Sequence, residues 1–177
     1  KGVDVAVEAL AALDRKDAHL LIVGGASGAE GDAYFAAVQA LIMQHRLNDR
    51  VHFIAPQPHH LLSTYYRAAD VVLVPSRSES FGLVALEAAA CGTPVVANAV
   101  GGLLTVVEHG RTGFLVANRK PEIFAEHIAE ILKNTHMTTA MSAAAAEHAT
   151  RYTWSFAAAR LRRVYADLAI RDRVICV

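Results

Sequence analysis

The sequence predicts an α/β domain: an open parallel sheet with helices on both faces, followed by additional C-terminal helices. Three observations lead there. Short apolar runs of three or four residues recur along the first two thirds of the chain, each followed by a stretch whose apolar residues fall at helical spacing. The runs are continuously apolar rather than alternating, which is the pattern of strands covered on both faces. Beyond Pro121 such runs cease and the pattern turns purely helical.

Taken in order, Val3, Val7, Leu10 and Leu13 predict a helix over 3–14. Leu20 to Val23 is a strand stopped by Gly24 and Gly25. Phe35, Val38, Leu41 and Ile42 mark a helix face between Asp32 and Arg46, and Val51 to Ile54 is the next strand. Leu61, Leu62, Tyr65 and Tyr66 suit a helix, Val71 to Val74 a strand ended by Pro75, Phe81 to Cys91 a helix, and Val95 to Ala97 a strand. Phe114 to Val116 is the last strand, after the turn-forming HGRTG stretch. Helices follow over 121–133, 137–150 and 155–169, the last with Leu161, Val164, Tyr165 and Leu168 on one stripe. Single helices between such strands give a Rossmann-like, doubly wound sheet whose binding edge is at the carboxyl ends of the strands.

The bulk properties narrow the function. At 177 residues the chain suits one α/β domain over 1–177. Lys+Arg and Asp+Glu are both 17, so no net field steers the protein to nucleic acid or an anionic bilayer. A small ligand is therefore expected rather than a polyanion. Cys91 and Cys176 form no CxxC or mixed Cys/His pattern, which speaks against a disulfide framework or a zinc site and for the reducing cytoplasm. No apolar run reaches the roughly 18 residues of a membrane span. The opening KGVDVAVEAL, with no initiator Met and no signal-peptide layout, is expected to be the start of an excised piece of a longer protein.

The stretch richest in chemistry is PSRSESFGLVALEAAACGTP, residues 75–94. Pro75 ends a strand, Ser78 or Ser80 is a candidate cap for the next helix, and the free N–H groups of its first turn, near Phe81 to Leu83, make an anion site. Gly82 allows close approach to the backbone. Glu87 stands in a helix apolar on nearly every side, where an ionised carboxylate needs hydrogen-bond donors. A vicinal diol offers two. Glu79, just ahead of the helix, could take a second diol beside a bound phosphate. Physics alone leaves open a plainer reading, in which Glu79 favours the helix N-terminus electrostatically and Glu87 snorkels or pairs with an arginine.

The motif Glu79-x7-Glu87, written ESFGLVALE and followed by ACGTPVVA, resembles the signature of glycosyltransferase family 4, which has the GT-B fold of two facing Rossmann-like domains. Lys1-Gly2-Val3-Asp4, Leu20–Gly25, RVHFIAP, YYRAADVVLVPS and VGG followed by HGRTGFLV fall in the family's order. The likeness is greatest to its mycothiol-pathway N-acetylglucosaminyltransferase and sucrose-phosphate-synthase-like branches. The resemblance implies a C-terminal donor-binding domain that lacks its first strand and the N-terminal acceptor domain. It also implies transfer of a hexose or N-acetylhexosamine from a nucleoside-diphosphate sugar, UDP-linked, with retention and with no cofactor; the sequence has no Asp-x-Asp motif, so no metal is expected.

By the same resemblance Glu87 would bind the donor ribose, Glu79 the transferred sugar, and the Ser80, Phe81, Gly82 and Leu83 segment sugar hydroxyls and phosphate. Lys1 would neutralise the departing diphosphate. Gly25 is a candidate close-approach residue near that diphosphate, with a plain turn as the alternative. Leu104-Thr105 departs from the Pro and Glu that many relatives carry after the paired glycines Gly101-Gly102, which puts contacts from this loop in question.

Other signals are weaker. Gly24-Gly25-Ala-Ser-Gly28-Ala-Glu-Gly31 fails the GxGxxG register. The nine histidines, His59-His60 and the His45/His52 pair among them, lack metal spacing. Arginines 160, 162, 163, 171 and 173 leave peripheral contact with anionic lipid open, a solvated face being the commoner use. Trp154 and Phe156 are expected to want a packing partner from the absent domain. The alternative function is a non-enzymatic, flavodoxin-like or receiver-like interaction module.

Overall fold

The computed structural model describes residues 1–25 and 31–170. Its elements are α1 (Val3–Ala12), β1 (Leu20–Val23), α2 (Gly31–Gln44), β2 (Val51–Ile54), α3 (His59–Ala68), β3 (Val72–Val74), α4 (Leu83–Ala90), β4 (Val95–Asn98), α5 (Leu103–Val106), β5 (Gly113–Val116), α6 (Pro121–Lys133), α7 (Thr135–Ala149) and α8 (Trp154–Ile170). A 3₁₀ turn, Thr150–Tyr152, joins the last two helices. Every strand and helix expected from the sequence is present. The four-residue α5 is additional, too short for any periodic signal. Ala26–Glu30, which holds Gly28, and residues 171–177, which hold Arg171, Arg173 and Cys176, lie outside the described residues.

All strand pairs are parallel, as continuously apolar runs require. They form two sheets: β1 with β2, in register from Leu20 opposite Val51 to Val23 opposite Ile54, and β3-β4-β5 with β4 central. The four residues of β4 are all buried. Leu20 donates to Arg50, just ahead of β2, and Gly24 to Ile54 at its end, so by the alternation of a parallel ladder the N–H and C=O groups of Leu21 and Val23 face the other way. Val72 likewise donates to Pro94, leaving Leu73 facing away from β4. Those edges of β1 and β3 carry no strand among the described residues.

Helix α1 joins the two halves. Its Val7 and Leu10 pack with Val38, Ile42 and Val51 beside β1 and β2. Its Val5, Ala9 and Leu13 pack with Val96, Phe114, Phe124 and Ile128 of the other half. Each fully buried Val or Leu contributes about 1.5–3 kcal/mol, so α1 is the principal apolar bond between the sheets. The helix ends at Ala12, two residues before the expected limit, where Leu13 turns extended.

The end of the chain behaves differently. Trp154 is 91% exposed, and Phe156, Leu161, Val164, Tyr165 and Leu168 are exposed too. The apolar stripe of α8 is present but covers nothing among the described residues, so the arginines at 160, 162 and 163 have no buried face to lie opposite.

Candidate functional site

The site is built on the loop between β3 and α4. Pro75 breaks the strand, and Ser76 is buried with its carbonyl accepting from Asn98 Nδ2 at 2.9 Å, which ties the carboxyl ends of β3 and β4 together. Gly82 then takes φ +95°, and α4 begins at Leu83, two residues later than the sequence suggested. No side chain caps it, so the expected role of Ser78 or Ser80 as cap is not realised. Leu86 donates to the Gly82 carbonyl at 3.0 Å, so the N–H groups of Leu83, Val84 and Ala85 precede the first intrahelical bond. The first-turn N–H groups are therefore those of Leu83 to Ala85 rather than Phe81 to Leu83.

Two glycines set the path of this loop. Gly101, at φ +49°, sits so close to Glu79 that a Cβ would overlap the Glu79 carbonyl oxygen. At Gly102 a Cβ would overlap the Phe81 carbonyl, and the Gly102 N–H donates to the Glu79 carbonyl at 3.0 Å. Leu104 and Thr105, which depart from the family's pattern, are exposed beyond this glycine pair.

Glu79 is drawn inward by these bonds, its side chain only 15% exposed. Its Oε2 accepts from Lys1 Nζ at 3.2 Å, and its Oε1 lies 3.4 Å from the Gly82 N–H. Lys1 is held there from below. Gly2, at φ +87°, packs under the Pro75 carbonyl, which also accepts from Arg119 Nε at 2.9 Å. The structure therefore joins Lys1 and Glu79, residues 78 apart in sequence, at the mouth of the α4 N-terminus. Ser80 and Phe81 are exposed beside them, and Phe81 lies edge-on to Tyr152.

Glu87 lies one turn farther along, about 6 Å up the helix axis from Leu83, with its side chain 31% exposed. Among the described residues no arginine pairs with it. Its Oε2 accepts from the Tyr66 hydroxyl at 2.8 Å, and its Oε1 lies 3.2 Å from His59 Nε2. His59 and Tyr66 are two turns apart on one face of α3. Burial, joined by the Glu87 carboxylate, pushes the Tyr66 hydroxyl above its ordinary range, so it remains a donor.

Gly25 is exposed at the carboxyl end of β1, where a Cβ would lie 3.6 Å from the Pro56 ring, and no contact among the described residues joins it to the α4 group. His52 pairs with His19 rather than with His45, their rings stacked at 5.2 Å. Among the described residues no three His, Cys, Asp or Glu side chains gather as a metal site, and no helix is long and apolar enough to cross a membrane.

Sequence reasoning missed Tyr66, His59 and the backbone role of Gly101-Gly102. A half-buried tyrosine wants a partner for its hydroxyl, and that was the available signal for Tyr66. Taken together, the arrangement offers free helix amides and a lysine to an anion, and one turn away a carboxylate able to accept two hydroxyls.

Comparison with known proteins places the chain in a family. A family model described as "Glycosyl transferases group 1" matches residues 1–148. D-inositol 3-phosphate glycosyltransferase from Corynebacterium diphtheriae is 42% identical over 99% of this chain and 42% of its own length. The protein of that name from Mycobacteroides abscessus is 49% identical over 86% of this chain and 34% of its own. Among solved structures, sucrose-phosphate synthase from Thermosynechococcus elongatus superposes with a TM-score of 0.86 at 36% identity, over 95% of this chain and 42% of that one. Anabaena Alr3699/HepE in complex with UDP superposes at 0.89 and 28% identity, over 94% and 45%. The chain spans less than half the length of each of these relatives. An interaction module unrelated to sugar transfer finds no support among them.

Proposed function

The chain belongs to the glycosyl transferases group 1 family, and from that premise we propose that it is the donor-binding half of a retaining glycosyltransferase that takes a hexose or N-acetylhexosamine from a UDP-linked sugar. The observation that carries the reading is the order of groups along α4: Lys1 and Glu79 at its mouth, three free amides, then Glu87 one turn on. A nucleoside diphosphate sugar has sugar, diphosphate and ribose in that order. The diphosphate would lie on the amides of Leu83 to Ala85, the ribose diol on Glu87 and the transferred sugar near Glu79.

In transfer the bond from the anomeric carbon to the diphosphate breaks as a bond to an acceptor hydroxyl forms on the same face, the hydroxyl's proton passing to the diphosphate, and negative charge gathers on the departing oxygen. Helix amides and an ammonium are suited to stabilising it without reorganisation. With Lys1 free to reach the diphosphate, the Lys1–Glu79 pair would be exchanged for a Lys1–phosphate pair. No divalent ion is required by this scheme. Gly25, at the carboxyl edge of β1, would let the diphosphate approach the backbone. The acceptor domain and the sheet's first strand would lie in polypeptide preceding Lys1, with that strand between the open edges of β1 and β3, the central place in a doubly wound sheet. A cytoplasmic setting suits a nucleotide-sugar substrate, and α8 is the surface available to the acceptor domain or to peripheral lipid.

Calorimetric titration of the full-length protein with UDP tests the reading. Binding is expected in the micromolar to millimolar range, roughly −8 to −4 kcal/mol, and unchanged by EDTA. Glu87→Gln should weaken it about tenfold or more, the loss of a hydrogen bond to a charged group. Equal affinity in a folded variant rejects the ribose role, and loss on chelation rejects metal independence.

A further inference from the structure

Glu87 has three side-chain torsions and stands on a helix that offers it no polar neighbour of its own, so something outside α4 must decide where its carboxylate points. That something is α3. The Tyr66 hydroxyl donates to Glu87 Oε2 at 2.8 Å, and the Tyr66 backbone is itself fixed, since its carbonyl accepts from Thr93 Oγ1 at 2.6 Å. Thr93 is buried just beyond the end of α4. The tyrosine is therefore tied at both ends to the α4 region, by its backbone below and its hydroxyl above.

The other carboxylate oxygen is treated differently. Among the described residues Oε1 meets only His59, whose side chain is 83% exposed at the first position of α3 and so can swing away into solvent. One oxygen is held by a half-buried donor and the other is covered by a displaceable one. We infer that Tyr66 is a positioning residue: it fixes Glu87 Oε2 so that Oε1 is presented to the hydroxyls of the donor ribose, and His59 gives way when they arrive. The inference rests on the reading of Glu87 as the ribose acceptor. It goes beyond that reading in assigning the geometry of the acceptor to a residue that need not touch the ligand.

The test compares UDP with 2′,3′-dideoxyuridine diphosphate, which lacks both hydroxyls, in the full-length protein. The wild type should prefer UDP by roughly tenfold or more, and Glu87→Gln should abolish most of that preference. In Tyr66→Phe the preference should fall by at least about threefold, with affinity for the dideoxy compound unchanged within about twofold, because only the hydroxyl-dependent part of binding passes through Tyr66. A tyrosine that merely fills the α3–α4 contact would weaken both ligands alike or neither.

If the wild type shows no preference, the ribose role of Glu87 falls and this inference with it. If the wild type and not Glu87→Gln discriminates while Tyr66→Phe keeps the full preference, Tyr66 alone is excluded. Should Tyr66→Phe fail to fold, 4-methylphenylalanine at position 66 fills the volume of the hydroxyl without a donor. Its preference for UDP should fall as that of Tyr66→Phe is expected to, and full retention of the preference would overturn the assignment.

Discussion

Glu79 and Glu87 are two carboxylates beside one short apolar helix, and they are satisfied in opposite ways. Glu79 is held by groups near in space but far in sequence, Lys1 and the backbone of the Gly101-Gly102 pair, whereas Glu87 relies on a neighbouring helix. Gly101 allows the glycine contribution to be measured. Ala at position 101 must adopt left-handed backbone and also displace the Glu79 carbonyl, while Gly110, at φ +77°, has open space around it. Gly110→Ala should therefore cost only the left-handed penalty of about 1–2 kcal/mol. Gly101→Ala should exceed it by a further 1 kcal/mol or so and weaken UDP binding as well, an expectation checked by urea unfolding and calorimetry. Equal costs would mean that the loop yields without strain. Both acids and the glycine pair were visible in the sequence. Their partners were not, because a carbonyl oxygen or a tyrosine on another helix leaves no local spacing to read.

At the scale of elements, the apolar runs located every strand, since β-branched residues bounded by Gly and Pro admit few other readings. Boundaries were less legible. The start of α4 moved from Phe81 to Leu83 because Gly82 takes a left-handed conformation, which a sequence pattern cannot distinguish from the first helical residue. Helix α1 commits apolar residues to both halves of the domain. Leu10→Ala should cost about 2–5 kcal/mol, as for other buried leucines, and thermal unfolding would register it. The loss should loosen the β1–β2 half first, so hydrogen exchange is expected to rise at β1 and β2 more than at β4. Uniform acceleration across both sheets would show that α1 does not divide its packing in this way.

For the molecule as a whole, catalysis in a two-domain cleft depends on holding donor and acceptor at reacting distance, which supplies on the order of 7–11 kcal/mol in favourable cases. Residues 1–177 alone should therefore bind UDP but transfer no sugar at a measurable rate, tested by incubating the purified chain with labelled UDP-sugars and candidate acceptors. Transfer at a rate comparable with full-length relatives would place an acceptor site within this chain. The parallel α/β class was legible at this scale. The division into two sheets was not, because each strand's own residues say nothing about which neighbour occupies its second edge. Those edges, at Leu21 and Val23 on one side and Leu73 on the other, have a bearing on biosynthesis. An unpaired strand accepts whatever strand reaches it first, including one from another copy. A strand joined to Lys1 by a short connection would compete at an effective concentration of roughly millimolar, far above that of a newly made chain in a cell. Translation also delivers the amino-terminal side first. A strand upstream of Lys1 would already be outside the ribosome when β1 and β3 emerge, so the order of synthesis itself would favour the correct partner over aggregation.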